Sequence, residues 1–257
     1  MKAWIKGALK VLLPLAVWLG LWQCLAWQVG LELLLPGPGR VWQRLMALCP
    51  TPIFWRSALA TLGRIVCGGA LGALTGASVA AVSARWELCD WVLTPMMKVV
   101  RATPVASFIL LIWLWCQYNS VHTVIAALMS AQVVWGATAQ GIDDTDPALL
   151  EMARAYRLSG LKTVRLIYIP SALPAFLSGC RTAMGLAWKA GVAAEVLCRP
   201  RRALGTQVYN AKLSMETADL FAWTAVVILL SFLLEKALWG LWSLLDKRGR
   251  RSGHGAS

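Results

Sequence analysis

Several ionisable residues lie inside long apolar stretches of the chain, among them Arg101, Arg181, Lys189 and Glu195. A charged group at membrane depth is costly, so it is usually paired or lines a route for a polar solute. A basic side chain that faces such a route attracts an anion such as a sulfonate, a nitrate or a carboxylate. The sequence leaves a structural ion pair open as the alternative for Lys189 and Glu195.

The sequence lacks the common motifs of enzymes and nucleotide-binding proteins. It contains no HExxH or GxSxG motif and only two histidines, so we predict no catalytic residue and no metal site. An intramembrane enzyme is kept as an alternative, and it would need catalytic groups clustered at membrane depth. The absence of a GxxxxGK[ST] loop predicts that this chain itself does not bind ATP in that manner. The seven cysteines have no zinc-ligand spacing, although Cys49 and Cys198 fall in loops where they could form a disulfide.

The composition is that of a membrane protein. Hydrophobic residues make up 58% of the 257 residues and charged residues 14%, against about 25% charged residues in soluble domains. The apolar runs reach the length of about 20 residues that a bilayer core requires. The net charge of +13 is spread over the termini and loops, which favours contact with anionic lipid over nucleic-acid binding.

The hydrophobic pattern predicts an all-α, polytopic membrane protein with about six transmembrane helices. Residues 1–257 form a single transmembrane domain with its core at about 55–245. Gly68, Gly72 and Gly76, spaced by four, predict close helix packing, preferably within the chain rather than at a dimer seam. Pro95 and Pro104 should bend the third span. The spans are predicted at about Val11–Gln28, Ala58–Ala84, Trp91–Cys116, Val121–Gln140, Ser171–Val196 and Leu220–Leu245.

The distribution of basic residues predicts the topology. An even number of spans places both termini on the same side, where twelve lysines and arginines would lie, against seven on the other side. The positive-inside rule therefore predicts that both termini are cytoplasmic. The N-terminal lysines and the apolar run Val11–Leu19 imitate a signal peptide, but no small-residue cleavage site follows. We expect this segment to be a retained first helix.

A short amphipathic segment follows the first span. Leu35 to Gly39 is rich in proline and glycine, which predicts a break. Val41, Leu45 and Leu48 then share one helical face, and a short helix at the outer membrane interface fits this pattern.

The long loop between the fourth and fifth spans, residues 143–170, has its own helical signals. Asp146 followed by Pro147 predicts a capped helix start, with good helix formers as far as Leu158 and an end at Ser159-Gly160. A second short helix, Lys162–Tyr168, should lead through Ile169-Pro170 into the fifth span. An apolar stripe at helical spacing could pack under the bundle or dock into a soluble partner; its residues are Leu149, Leu150, Ala153 and Tyr156.

The run from Glu151-Met152-Ala153 to Ile169-Pro170 resembles the EAA loop of ABC importer permeases, and its Glu-to-Pro spacing resembles that of the nitrate, sulfonate and taurine branch. Other segments resemble the same branch between about residues 30 and 245. In the third span the segment is Arg101-Ala102-Thr103-Pro104. In the fifth span the residues are Arg181, Gly185, Trp188 and Ala194-Glu195, and in the outer loop they are Leu35-Pro36 followed by Val41. Two positions depart from the family pattern: Met152 replaces an Ala, and Arg157 replaces the motif Gly, with Gly160 three positions later. We therefore expect the turn between the two loop helices to be displaced.

The resemblance implies a type I ABC importer permease of the bacterial inner membrane, working as a homodimer with ATPase subunits and an external solute-binding protein. ATP would be used only by the partner subunit, and this chain would bind no cofactor. The loop would be the coupling helix that contacts the ATPase through Glu151, Met152, Ala153, Tyr156, Arg157 and Gly160. The expected solute is an oxyanion such as nitrate, sulfonate or taurine, with a vitamin precursor or another small organic solute as the alternative. The candidate residues for the translocation path are Arg101, Pro104, Arg181, Trp188, Lys189 and Glu195.

Overall fold

The computed structural model describes residues 2–116 and 120–253, and every regular element in these ranges is a helix. Met1 and 254–257, the ends of the predicted domain 1–257, lie outside the described residues, as do the side chains of Lys2, Lys6 and the C-terminal basic residues 247–251. We number the helices in chain order, and a short π-helical segment, Val164–Tyr168, joins α8 to α9. The helices are α1 Lys2–Val29, α2 Pro38–Leu48, α3 Pro52–Arg85, α4 Glu87–Ala102, α5 Val105–Trp115, α6 Val121–Asp143, α7 Pro147–Ala155, α8 Gly160–Thr163, α9 Ile169–Cys198, α10 Leu204–Leu213 and α11 Thr217–Gly253.

The prediction of about six spans is confirmed, with a correction to the third. Five helical segments are long and apolar enough to cross a membrane, and α4 and α5 together make a sixth candidate that is bent by 110°. The predicted span Trp91–Cys116 is therefore not one helix. Thr103 has the extended conformation that a residue before proline favours, so the chain breaks at Pro104. Pro95 lies inside α4 without ending it.

Helix α6 packs between α3 and α9 and forms the centre of the bundle. The glycine stripe of α3 faces backbone carbonyl groups of α6: a Cβ on Gly72 would lie 2.1 Å from the Ala127 oxygen, and one on Gly76 would lie 2.3 Å from the Ala131 oxygen. Only glycine permits this approach of two backbones. The preferred interpretation of the stripe, packing within the chain, is confirmed.

The short helix predicted after the first span is present as α2, which begins at Pro38 because proline suits the first helical turn. Val41 and Leu45 are buried, as the pattern predicts. Arg44 makes a bidentate ion pair with Asp219 of α11, with 2.6 Å between Nη2 and Oδ2. This hydrogen bonding raises the pKa of the Arg44 guanidinium above its ordinary value. The pair attaches α2 to the start of α11.

The disulfide that the sequence left open does not form, and the second loop helix differs in its extent from the predicted Lys162–Tyr168. Cys49 and Cys198 are free thiols, and Cys198 is fully buried at the end of α9. The second loop helix is also not separate from the fifth span, because α8 continues through the π-helical segment into α9. There the Ile169 N–H donates to the Val164 carbonyl, five residues earlier. This wider turn accommodates Pro170, which has no N–H to donate.

Candidate functional site

The loop between α6 and α9 begins with a capped helix. The Asp146 carboxylate accepts a hydrogen bond from the Ala148 N–H at 2.9 Å, and Pro147 occupies the first turn of α7. The predicted helix start is confirmed. The helix ends at Ala155, three residues before the predicted end at Leu158.

The turn that closes α7 has its left-handed residue at Arg157, whose φ is +49°. The Leu158 N–H donates to the Ala153 carbonyl at 2.9 Å, and the Arg157 N–H donates to the Arg154 carbonyl at 3.0 Å. These are the two bonds of a Schellman motif, in which glycine normally takes the left-handed position. Gly160 is not left-handed and begins α8. The expected displacement of the turn to Gly160 is therefore wrong, and Arg157 bears a strain of about 1 kcal/mol that a glycine would not.

The residues of the apolar stripe in the loop differ in their exposure. Ala153 is 3% exposed, and with Leu150 and Tyr168 it lines a concavity of about 140 Å³. Tyr156 is 76% exposed and Leu161 is 86% exposed. Ala153 therefore packs within the protein, whereas docking of the exposed part of the stripe into a soluble partner remains a prediction. We define the loop surface as four exposed side chains of this segment: Leu149, Met152, Tyr156 and Leu161.

Three of these side chains, Leu149, Met152 and Tyr156, lie on the segment between two candidate spans, and Leu161 lies at the start of the next one, Gly160–Cys198. An exposed apolar patch outside the membrane is typical of an interaction site. Glu151, Arg154 and Arg157 are exposed beside the surface and would form a charged rim. Because α6 ends at Asp143 and α8 continues into α9, the loop is connected directly to two central helices.

Glu195, a candidate for the path, is fully buried near the other end of the bundle. The Thr61 hydroxyl lies 2.9 and 2.8 Å from its two carboxylate oxygens, and the Gly205 N–H donates to Oε2 at 3.2 Å. Arg64 approaches Oε1 to 3.9 Å and donates to the Arg201 carbonyl at 3.1 Å. Glu195 therefore joins α9 to α3 and to the start of α10. Its ion pair is with Arg64 and not with Lys189. Sequence reasoning missed Thr61, which carries no motif and lies 134 residues from its partner.

The other candidate path residues differ in burial. Trp188 is buried inside the protomer with Glu195. Arg181 and Lys189 are exposed on one face of α9, and Arg101 and Pro104 are exposed beside the break between α4 and α5. Exposed cations within a span require water or another protein surface. The path role of these residues requires that the exposed face of α9 meets something other than lipid, and it remains a prediction.

Residues 69–250 match the family described as "Binding-protein-dependent transport system inner membrane component". The taurine transport system permease protein of Escherichia coli is 27% identical over 90% of this chain and 84% of its own. The nitrate import permease protein of Synechococcus elongatus is 30% identical over 76% of this chain and 75% of its own. An amino acid ABC transporter "with histidines" has a similar fold, with a TM-score of 0.65 and 21% identity over 79% of this chain and 97% of that chain.

Proposed function

Because the chain belongs to the family of binding-protein-dependent transport system inner membrane components, and is thus a multi-pass permease of an ABC importer, we propose that residues 143–170 dock onto a separate ATPase subunit. The observation that carries this proposal is the loop surface, in which Tyr156 is 76% exposed on the segment between two spans and Leu161 is 86% exposed at the start of the next span. A soluble partner with an apolar groove would cover these side chains. A charged rim around an apolar centre is the usual anatomy of such an interface.

The loop is built to transmit a displacement. The Asp146 cap and the turn at Arg157 fix both ends of α7, and Ala153 packs against the rest of the loop. When two ATPase subunits close on ATP, the docked loop would move with them and shift α6 and α9. ATP hydrolysis would be coupled to this motion only if the two ATPase states bind the loop in different positions and with different affinity. ATP binding and hydrolysis would take place on the partner, and this chain would need no cofactor.

This assignment places the loop and both termini in the cytoplasm of a bacterial cell, in accord with the positive-inside count. The α2–α10 end would then face outward and receive the solute from an external binding protein. A second copy of the chain, forming a homodimer, would complete the path and cover the exposed face of α9. Membrane lipid would contact α1, whose apolar window has no buried residue.

The expected solute carries an anionic group. Arg181 and Lys189 lie about two turns apart on the exposed face of α9, and they supply positive charge along the predicted path. Relatives named for taurine, nitrate, bicarbonate and aliphatic sulfonates support an anionic or sulfonated solute. A vitamin precursor or another small organic solute is the alternative, and solute uptake would decide between them.

Binding of the ATPase tests the proposal. The tagged permease should copurify with the ATPase encoded by the neighbouring gene, and Met152→Asp should weaken this binding at least about tenfold, since a charge would enter an apolar interface. Met215→Asp is the matched control: Met215 is also exposed, but it lies at the other end of the bundle, after α10. Equal binding by the two variants, or no binding by the wild type, would refute the proposal.

A further inference from the structure

The exposed face of α9 bears a third charged group in addition to Arg181 and Lys189. A Cβ built on Gly185, midway between the two cations, would lie 3.8 Å from Oε1 of Glu235. Apart from the residues next to Gly185 and the nearby backbone of α9, no other heavy atom of the described part of the chain comes within 4 Å of that position. Glu235, on α11, therefore reaches across to α9 at the place where glycine leaves room for a carboxylate.

The three groups are arranged with positive charge on both sides of a negative one. Arg181 lies one turn before Gly185 and Lys189 one turn after it, each about 6 Å along the helix axis. All three charged residues are exposed. Among the side chains that the structure describes, 10, 12–116 and 120–240, none forms an ion pair with these groups within 4 Å. Within that part of the chain, their charges are available to a solute.

We infer that Glu235 is a specificity-determining residue of the translocation path and that the path favours a zwitterion, an aminosulfonate or amino acid-like solute, over a simple anion. The sulfonate would bind Arg181 or Lys189, and the ammonium group would bind the Glu235 carboxylate. This inference rests on the proposed function, and in particular on the exposed face of α9 lining the path.

The charges give the physical reason. A simple anion gains attraction from one cation and suffers repulsion from the nearby Glu235 carboxylate. A zwitterion of matching length pairs both of its ends, and each charge-assisted hydrogen bond exceeds a neutral one in strength. A site discriminates best when the wrong ligand leaves one of its polar groups unpaired. The alternative is that Glu235 only balances the charge of the two cations, in which case both solutes would bind alike.

Direct binding to the permease–ATPase complex in lipid nanodiscs separates these cases. The probes are taurine and ethanesulfonate, which share the sulfonate and the two-carbon chain but differ in the ammonium group. We expect the wild type to bind taurine at least about tenfold more tightly. Glu235→Gln should reduce this preference about tenfold by weakening taurine and strengthening ethanesulfonate, and Glu235→Asp should restore part of it.

Control variants keep the result interpretable. Glu87→Gln removes an exposed carboxylate at the start of α4, away from α9, and should leave the preference unchanged. Arg181→Gln should weaken both probes. The inference is overturned if the wild type binds the two probes equally or binds neither, or if Glu235→Gln preserves the preference in a monodisperse complex. The proposed function fails separately, if the ATPase does not bind the wild-type permease.

Discussion

Gly72→Ala in α3 should destabilise the permease, although the same change in an ordinary helix is stabilising. A Cβ at this position would lie 2.1 Å from the Ala127 carbonyl oxygen, 2.8 Å from its carbon and 2.7 Å from the Ser130 Cβ. Two of these atoms belong to the α6 backbone, so no side-chain rotation relieves the clash. The helices would have to separate by about 1 Å, which loosens the centre of the bundle.

The magnitude follows from two opposing effects. Overpacking of a close-packed core costs about 1–3 kcal/mol, and the backbone clash places Gly72→Ala at the upper end of that range. Alanine is more favourable than glycine within a helix by about 1 kcal/mol. The net loss in the free energy of unfolding is therefore about 2 kcal/mol. Gly63 is also in α3, but a Cβ there would meet nothing within 4 Å, so Gly63→Ala should stabilise the protein by up to about 1 kcal/mol.

The assay is the Tm of each variant in the same detergent, followed by size-exclusion chromatography. We expect Gly63→Ala at or above the wild type and Gly72→Ala clearly below it. If Gly72→Ala melts like Gly63→Ala, the α3–α6 packing described above is wrong. If it retains its Tm but loses dimerisation, the glycine stripe is a contact between protomers.

Three other changes have a defined sign. Arg157→Gly should raise Tm by relieving the left-handed conformation, a gain of about 1 kcal/mol; a lower Tm would show that the Arg157 side chain itself is needed. Glu195→Ala should lower the free energy of unfolding by about 3 kcal/mol, because Thr61, the Gly205 N–H and Arg64 lose the carboxylate that they contact. An unchanged Tm would contradict this. Asp219→Asn should cost about 1 kcal/mol after allowance for solvent screening, since the side chain of its partner Arg44 is 46% exposed. The ordinary pKa of arginine lies well above pH 9, and the pair raises the pKa of Arg44 further. The contribution of this pair to stability should therefore be constant from pH 6 to 9. A loss of Tm on passing from pH 6 to 9 in the wild type but not in Asp219→Asn would refute that.

Local rules predict much of this protein from its sequence. The apolar runs give the spans, the Asp146-Pro147 pair gives the start of α7, and the four-residue spacing of glycines gives the close packing of α3. Each of these features depends on residues within a few turns of each other. The resemblance to importer permeases adds the docking role that the loop pattern leaves open.

Contacts between distant segments are not predictable in this way. Glu195 is recognisable as a membrane-depth carboxylate, but its burial against Thr61 depends on how α3 and α9 meet. Two prolines of the same span also behave differently: Pro95 is accommodated inside α4, while Pro104 follows an extended residue and ends the helix. Arg157 shows the converse case, because the backbone keeps the left-handed turn although the residue there is unsuited to it.

The most direct test of the docking role is photo-crosslinking from Tyr156 in the intact importer. A photoreactive amino acid at position 156 should crosslink to the ATPase subunit, and the same amino acid at position 215, at the other end of the bundle, should not. A product with the ATPase from position 156 alone supports the loop as the coupling site. The absence of that product in an assembled, ATP-hydrolysing complex would contradict it.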